Sequence, residues 1–409
     1  MRILHIVPTY FPATRYGGPI ESVKQMNATL VKKGVSVTVF TTNADGDGVL
    51  DVPLGVPVDV DGVEVFYFPV SRNLFLRKWF YSQAMRRALK KRICEFDLVH
   101  ITSVFLAASF LGSRYARKFK KPYIISPRGN LMVEPLAYHA FKKWLYIKFI
   151  ERFILKNASA LHFTVEKEEE EYKKTGLPLK KSFVASNGVD VPDGVCGDRK
   201  DFLKNQFNIA EDKKIVLFLG RISWKKGFDT LVPAFAQALQ KNSSLVLVVV
   251  GGDDEGYLEN IKNQIFSLRE IPRGGTNIQI SKSTPLEEHI IFTGELKGDE
   301  KWQAFCGADV FILPSYSENF GMAVVEAMAC GVPVVVSDGV GIWPVIKECG
   351  AGIVVKKEEK VVAEALIKIF SDDKLRVDMG QRARECAKQF AWERVADMLI
   401  DVYKSLCEK

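Results

Sequence analysis

The chain has 409 residues, 47% hydrophobic and 26% charged, with a formal net charge of +8. That length predicts two domains, and the composition excludes long disorder and collagen-like repeats. The charge is uneven: residues 1–190 hold 29 Lys/Arg against 17 Asp/Glu, a net of +12, whereas residues 191–409 hold 28 against 32, a net of −4.

Short apolar, β-branched runs alternate with amphipathic stretches from the start, the pattern of βα units around parallel sheets. The first half predicts strands at Ile3–Val7, Val35–Thr41, Val63–Phe68, Leu98–Ile101, Tyr123–Ser126, Leu161–Thr164 and Ser182–Ala185. Helices are expected near 18–33, 76–94, 104–120, 139–156 and 165–174, with Gly34 ending the first. The Gly-, Pro- and Asp-rich string at 186–201 reads as a linker. Beyond it strands are predicted at Ile215–Leu219, Leu245–Val250, Ile290–Thr293, Val310–Pro314, Val334–Ser337 and Ile353–Val355, then three consecutive helices. Residues 268–289 break the rhythm and read as a loop carrying a short strand. The pattern is α/β: two Rossmann-like doubly wound domains, 1–190 and 191–390, with a terminal helix at about 391–409 that packs back on the first. Ligands bind beyond the carboxyl ends of such strands, so a cleft between the domains is the expected site.

Apolar runs such as Leu245–Val250 are far shorter than the roughly 20 residues a membrane span needs. The N-terminus reads as a buried strand rather than a signal peptide. Seven scattered cysteines without a C-x-x-C pair predict neither a disulfide framework nor a zinc site, and fit a reducing, cytoplasmic compartment. No metal-ligand spacing joins the five histidines.

Three strings carry chemistry. FPATRYGGP at 11–19 sets Gly17 and Gly18 at a helix start, where backbone N–H groups can meet an anion; no G-x-G-x-x-G dinucleotide fingerprint is present, and plain loop chemistry is the alternative. GRISWKKG at 220–227 sets Arg221 at a strand's carboxyl end and Lys226 before a helix, two cations suited to a diphosphate but without Walker A order. SYSENFGMAVVEAMACGVP at 315–333 runs from a strand into a helix, with Glu318 in the turn, Gly321 allowing close approach, and Glu326 one to two turns on. Taken singly, either carboxylate could be a solvated side chain or a partner of the helix dipole.

Together, G-R-x-x-x-x-K-G and the later S-E-N-F-G-x-x-x-x-E-A-M-A-C-G-x-P-V resemble glycosyltransferase family four, retaining enzymes of the GT-B architecture. The resemblance covers essentially the whole chain, including the Gly-Gly loop, the Asn187–Asp190 string and the terminal helix from Trp392 to Tyr403. It implies a nucleotide-sugar donor, a UDP-sugar favoured, held by the second domain, with no separate cofactor and no metal. By similarity Glu326 would hold ribose hydroxyls and Glu318 those of the transferred sugar. Asn319, Phe320, Gly321 and Met322 would orient sugar and diphosphate. Arg221 and Lys226 would neutralise the leaving diphosphate, with help from Gly18, and Leu296 would contact the base. A front-face route is expected, because no opposed carboxyl pair is evident. One departure is Arg128, standing where many members carry a sugar-contacting His; His100 is expected to compensate or to be structural. The D-x-D at Asp45-Gly46-Asp47 is read as a turn, and Asp253-Asp254 likewise.

Between Arg72 and Lys156 lie 19 Lys/Arg against four acids, interleaved with aromatics at 75–81 and 141–149. That mixture suits either a solvated helix face over a core or an anionic membrane surface, where a lipid-linked saccharide acceptor would be met. No nucleic-acid motif accompanies the charge. The rival readings are another GT-B sugar-nucleotide enzyme, such as an epimerase or phosphorylase, and a non-catalytic sugar-nucleotide-binding regulator.

Overall fold

A computed structural model describes residues 1–408 apart from 14, 16, 138–139, 193, 196–200, 254 and 270–284. It divides into two compact units: Met1–Gly188 with Phe390–Lys409, and Val189–Gln389.

In the first unit the strands are β1 (Arg2–Ile6), β2 (Ser36–Thr42), β3 (Ala44–Asp45), β4 (Gly48–Val49), β5 (Val58–Val60), β6 (Val63–Phe68), β7 (Leu98–Thr102), β8 (Tyr123–Ser126), β9 (Ala160–Phe163) and β10 (Ser182–Val184). Eight of them form one sheet in the order β10-β9-β8-β7-β1-β2-β6-β5. All pairs are parallel except β5 with β6. Ile3 and Val39 on the central strands are essentially unexposed, as expected where helices cover both faces. The second unit holds β11 (Lys214–Leu219), β12 (Leu245–Val250), β13 (Ile290–Gly294), β14 (Val310–Leu313), β15 (Val334–Ser337) and β16 (Gly352–Val355), all parallel, in the order β13-β12-β11-β14-β15-β16.

Several elements differ from the sequence reading. The helix expected over 76–94 is two, Leu74–Lys78 and Gln83–Arg92. Asn73 accepts from the N–H groups of Phe75 and Leu76, and Ser82 from that of Met85, so each cap starts a helix of its own. The stretch expected at 139–156 runs as Ala140–Tyr146, a π turn at Ile147–Glu151, and Arg152–Asn157, with residue 139 outside the described residues. The edge strand β5 and the hairpin β3–β4 had too few apolar residues to be read. The loop with an inserted strand at 268–289 falls mostly outside the described residues, as does Asp254.

Cysteine pairing is a correction. Cys349 ends the helix Trp343–Cys349, Cys386 lies in the last turn of Asp373–Ala387, and the two form a disulfide with Cα atoms 6.1 Å apart. Thirty-seven residues separate them, and only the packing of their helices brings them together, which spacing alone does not reveal.

The terminal helix Trp392–Cys407 buries Trp392, Val395, Leu399 and Tyr403 in the same core as Ile3, Val23 and Met26. A Cβ on Gly188 would lie 2.2 Å from the Trp392 ring, so only glycine fits beneath that indole. Tyr403 Oη and His100 Nδ1 are 2.8 Å apart, His100 Nε2 and His162 Nδ1 3.3 Å, and His162 Nε2 and the Ala185 carbonyl 2.8 Å. The carbonyl can only accept, so the chain of donors runs from the tyrosine through both rings to it, and both histidines are neutral. His5 stacks on His100 with centroids 4.7 Å apart.

Burial lowers His5 to about 4 and His162 to about 3, and holds His100 well below its ordinary value; the Arg128 charge adds to each effect. Burial raises Glu151, on the π turn, to about 7. Below pH 6.5 the unfolded chain takes up three histidine protons that the folded unit refuses, while the folded unit keeps one on Glu151. The net is somewhat under two protons, so stability should fall by roughly 2–3 kcal/mol per pH unit between roughly pH 6 and 5. Thermal melts from pH 7.5 to 5 measure this; a flat profile over that range would contradict it.

Candidate functional site

In the second unit β11 leads to β12 and β13 on one side, whereas β14 leads to β15 and β16 on the other. Connections that leave adjacent strands in opposite directions open a crevice at their carboxyl ends, and here it lies between β11 and β14. The two loops that border it are 220–227 and 314–321.

Both loops are locked into shape. Gly227 has φ 76°, and a Cβ there would lie 2.2 Å from the Pro314 carbonyl oxygen, so the loops approach as closely as glycine permits. The Tyr316 N–H donates to the Lys225 carbonyl at 2.8 Å, and Tyr316 Oη lies 2.5 Å from Asp229 Oδ2. This clasp brings Lys226 to Glu318: Lys226 Nζ donates to Glu318 Oε2 across 92 residues of sequence. The Glu318 backbone is itself held, its N–H donating to the Gly339 carbonyl and its carbonyl accepting from Gly341. Both side chains remain partly open to solvent.

Gly321 (φ 91°) caps the helix Met322–Ala329. Its N–H, like those of Met322 and Ala323, precedes the first intrahelical acceptor, which makes this helix start a site for negative charge. Asn319 is half-buried and Phe320 buried just before it. Arg221 is exposed after Gly220 and makes no ion pair among the described residues, leaving its guanidinium available to a ligand. Glu326 is buried, and its Oε1 accepts from Lys301 Nζ at 2.7 Å. Lys301, on the helix Asp299–Cys306, was not singled out in the sequence; nothing in its spacing distinguishes it from other surface lysines. Leu296 is half-buried in the loop after β13, beside the Glu295–Lys297 pair.

The first unit has a switch point of its own, between β1 and β7. The loop after β1 ends at Gly17 (φ 77°), which caps the helix Gly18–Lys32; a Cβ on Gly17 would meet nothing within 4 Å, so space lies open beside that backbone. The loop after β7 carries Ser103 (φ 105°) and Phe105 (φ 63°), strained for residues with side chains. Glu151 steadies it, accepting from the Phe105 N–H at 3.4 Å. This buried acid was another residue missed in the sequence, where it reads as a helical surface position.

Arg128 follows β8 with φ 53°, donates to Asn187 Oδ1, and keeps a buried Nε with no hydrogen-bond partner among the described residues. Burial lowers it to about 10, which leaves it charged at neutral pH. His100 is placed differently from a ligand contact: it is 0% exposed, in the middle of β7, and both ring nitrogens are occupied within the core. An acceptor or sugar contact is therefore not assigned to it. Asp45-Gly46-Asp47 forms the turn of the β3–β4 hairpin, with Gly46 at φ 57°. Asp253 accepts from the Tyr257 and Leu258 N–H groups and so caps a helix. Among the described residues no helix is long and apolar enough to cross a membrane.

Comparison with known proteins gives these arrangements a lineage. Residues 17–188 match the family described as glycosyl transferase 4-like domain, and residues 199–386 match glycosyl transferases group 1. An uncharacterized glycosyltransferase of Methanocaldococcus jannaschii is 25% identical over 97% of each chain. A D-inositol 3-phosphate glycosyltransferase of Salinispora arenicola is 28% identical over 54% of this chain, an alignment that spans 48% of its own length. Among solved structures, sucrose-phosphate synthase from Thermosynechococcus elongatus superposes with a TM-score of 0.76 at 21% identity, covering 99% of each chain. With matches that together run through both units and neighbours of the same architecture along the whole chain, the protein belongs to the family-four glycosyltransferases and has the GT-B fold.

Proposed function

We propose that this glycosyltransferase moves a hexosyl unit from a nucleotide sugar, a UDP-sugar in the first instance, to a saccharide acceptor during glycan or polysaccharide assembly. The observation that carries this reading is the pairing of Lys226 with Glu318 at the β11/β14 switch point, next to Arg221 and the helix start at Gly321. A diphosphate would draw Lys226 toward itself, while Glu318, an acceptor only, would turn to sugar hydroxyls. Arg221, Lys226 and the amides near Asn319–Met322 would then stabilise the charge that grows on the leaving diphosphate. Glu326 would take the ribose hydroxyls and Leu296 the base. A solved Anabaena neighbour, similar in fold with a TM-score of 0.75 and 18% identity over 99% of this chain and 100% of its own, contains UDP and glucose.

Transfer with retention follows a front-face course in this proposal. The acceptor oxygen bonds to the anomeric carbon on the face the diphosphate leaves, and its proton passes to a donor phosphate oxygen. No divalent ion is required, since fixed cations and amides supply the charge. Thermal unfolding with UDP or UDP-glucose tests the donor: ligand at 100 times its Kd adds about 2.7 kcal/mol to the unit that binds it. No upward shift with any nucleotide sugar would overturn the donor assignment. Turnover retained in EDTA and a product with the donor's anomeric configuration are the results expected of the chemistry; inversion, or loss of turnover in EDTA, would contradict it.

The acceptor is proposed to be lipid-linked, met at an anionic membrane. The helical stretch 140–157 supports this. Trp144, Lys148, Arg152 and Lys156 are exposed in one row and Leu145, Phe149 and Phe153 in the next, while Glu151, Ile154 and Leu155 are buried. In a regular α-helix a four-residue repeat drifts around the axis by about 40° per turn. The wider π turn at Ile147–Glu151 opposes that drift and keeps both rows on one side. Lys148 Nζ sits 4.8 Å from the Trp144 ring and the Arg117 guanidinium 4.0 Å from that of Phe153. An aromatic row beside a cationic row suits anionic headgroups. Vesicles containing phosphatidylglycerol should sediment the protein at low salt, and Phe149→Ser with Phe153→Ser should reduce binding about tenfold or more; equal binding to neutral vesicles would contradict the charge argument.

A further inference from the structure

A second charged site lies away from the nucleotide machinery. In the first unit the β3–β4 hairpin follows β2, and the helix Leu74–Lys78 follows β6, its neighbour in the sheet. Both segments therefore stand at the carboxyl end of the sheet, where ligands of this architecture bind. Between them is a cavity of about 450 Å³ bordered by Gly46, Asp47, Arg72, Leu74, Arg77 and Lys78, with Ala44 and Phe80.

Its charge is unbalanced. Arg77 is the fastener: its Nη2 donates to the carbonyls of Asp47 at 2.6 Å and Gly48 at 2.5 Å, which holds the helix to the hairpin. Those carbonyls are neutral, so the Arg77 charge is not cancelled. Arg72 and Lys78 are exposed and make no ion pair among the described residues. Three cations thus border the cavity with one carboxylate, Asp47; the nearby Asp45 is turned toward Arg15, 3.9 Å away. Cations gathered in a concavity repel one another and concentrate anions there. A guanidinium and an ammonium converging on one space suit a phosphate. Leu74, on the border, is 77% exposed, and Phe75, next in the chain, is 80% exposed.

We propose that this cavity is an anion subsite that receives a phosphate group of the acceptor, with Arg72 and Lys78 as its contacts and Arg77 as its scaffold. The proposal rests on the reading that a membrane-borne acceptor is met at the basic first unit, which carries the 140–157 stretch. The phosphate can come from a lipid headgroup or from a soluble sugar phosphate, and both present the same group to the cavity.

The test uses the full chain with UDP held saturating, so that the diphosphate subsite of the second unit is filled. Inorganic phosphate, glucose 1-phosphate and phosphatidylcholine vesicles with and without phosphatidic acid are then titrated. The comparison is between the wild type, Arg72→Gln with Lys78→Gln, and Lys90→Gln with Lys91→Gln, which removes the same charge elsewhere. Phosphate affinity should fall about tenfold or more in the cavity variant, as loss of two charge-assisted contacts implies, and stay within about twofold in the control. UDP affinity should be unchanged in both. Tighter binding of glucose 1-phosphate than of phosphate, lost in the cavity variant, assigns the soluble source; tighter binding of phosphatidic acid vesicles, lost likewise, assigns the lipid. Equal losses in the two variants, or no phosphate binding by the UDP-saturated wild type, overturns the proposal. Failure of the wild type to bind UDP at all would instead strike the donor reading and leave the cavity to be judged by the phosphate titration alone.

Discussion

Lys226→Ala should lower turnover by about two to three orders of magnitude and weaken UDP binding, and Glu318→Gln should lower turnover as much without weakening UDP. The two expectations differ because the residues hold each other before donor arrives. On the proposed reading, removing the ammonium deletes a contact to the diphosphate and leaves a carboxylate facing it. Replacing the carboxylate by an amide loosens Lys226, so UDP affinity should stay level or rise while the sugar loses its acceptor of hydroxyl hydrogen bonds. Arg221→Ala should behave like Lys226→Ala, since no ion pair among the described residues holds that guanidinium. Calorimetric titration of UDP beside steady-state transfer separates the cases. Full turnover in Glu318→Gln or in Arg221→Ala would refute the assignment.

Gly227→Ala is expected to act through the scaffold. The new Cβ would sit 2.2 Å from the Pro314 carbonyl oxygen, on a backbone at φ 76° that an L-residue adopts only at a cost of about 1–2 kcal/mol. Relief requires the loops after β11 and β14 to part, which breaks the Tyr316–Lys225 contact and separates Lys226 from Glu318. A loss of about 3 kcal/mol in the second unit, or roughly 6–12 °C in its melting temperature, is expected together with loss of UDP binding. The two effects should appear together; a stable variant that binds UDP normally would show that the clasp does not set the site.

What sequence reasoning could see follows from how each signal is encoded. The buried strands of both sheets are continuous apolar runs, and Val63–Phe68, Leu245–Val250 and Val334–Ser337 have the residues expected. Glu318 and Lys226 were visible because each sits in a string whose order is distinctive, yet their ion pair was not, since it depends on which strands become neighbours. Lys301 and Glu151 went unnoticed for a related reason: one meets Glu326 only through helix packing, and the other is turned inward by a π turn that interrupts the expected periodicity. Sequence left His100 open between a contact and a structural role, because a histidine at a strand looks the same whether it faces solvent or, as here, a tyrosine 303 residues away. Cys349 and Cys386 carry the same lesson in covalent form.

The terminal helix has a consequence for the order in which the molecule can be made. Trp392 and Tyr403 belong to the core of the unit that begins at Met1, while residues 189–389 form a unit from one uninterrupted stretch. On the ribosome, the earliest part of the chain must therefore wait with an open seam along Ile3, Val23 and Met26 until some two hundred further residues have been added. The later unit can close first. Of the two units, the one that is begun first is finished second, and until the helix Trp392–Cys407 arrives it exposes apolar surface of the kind that chaperones hold.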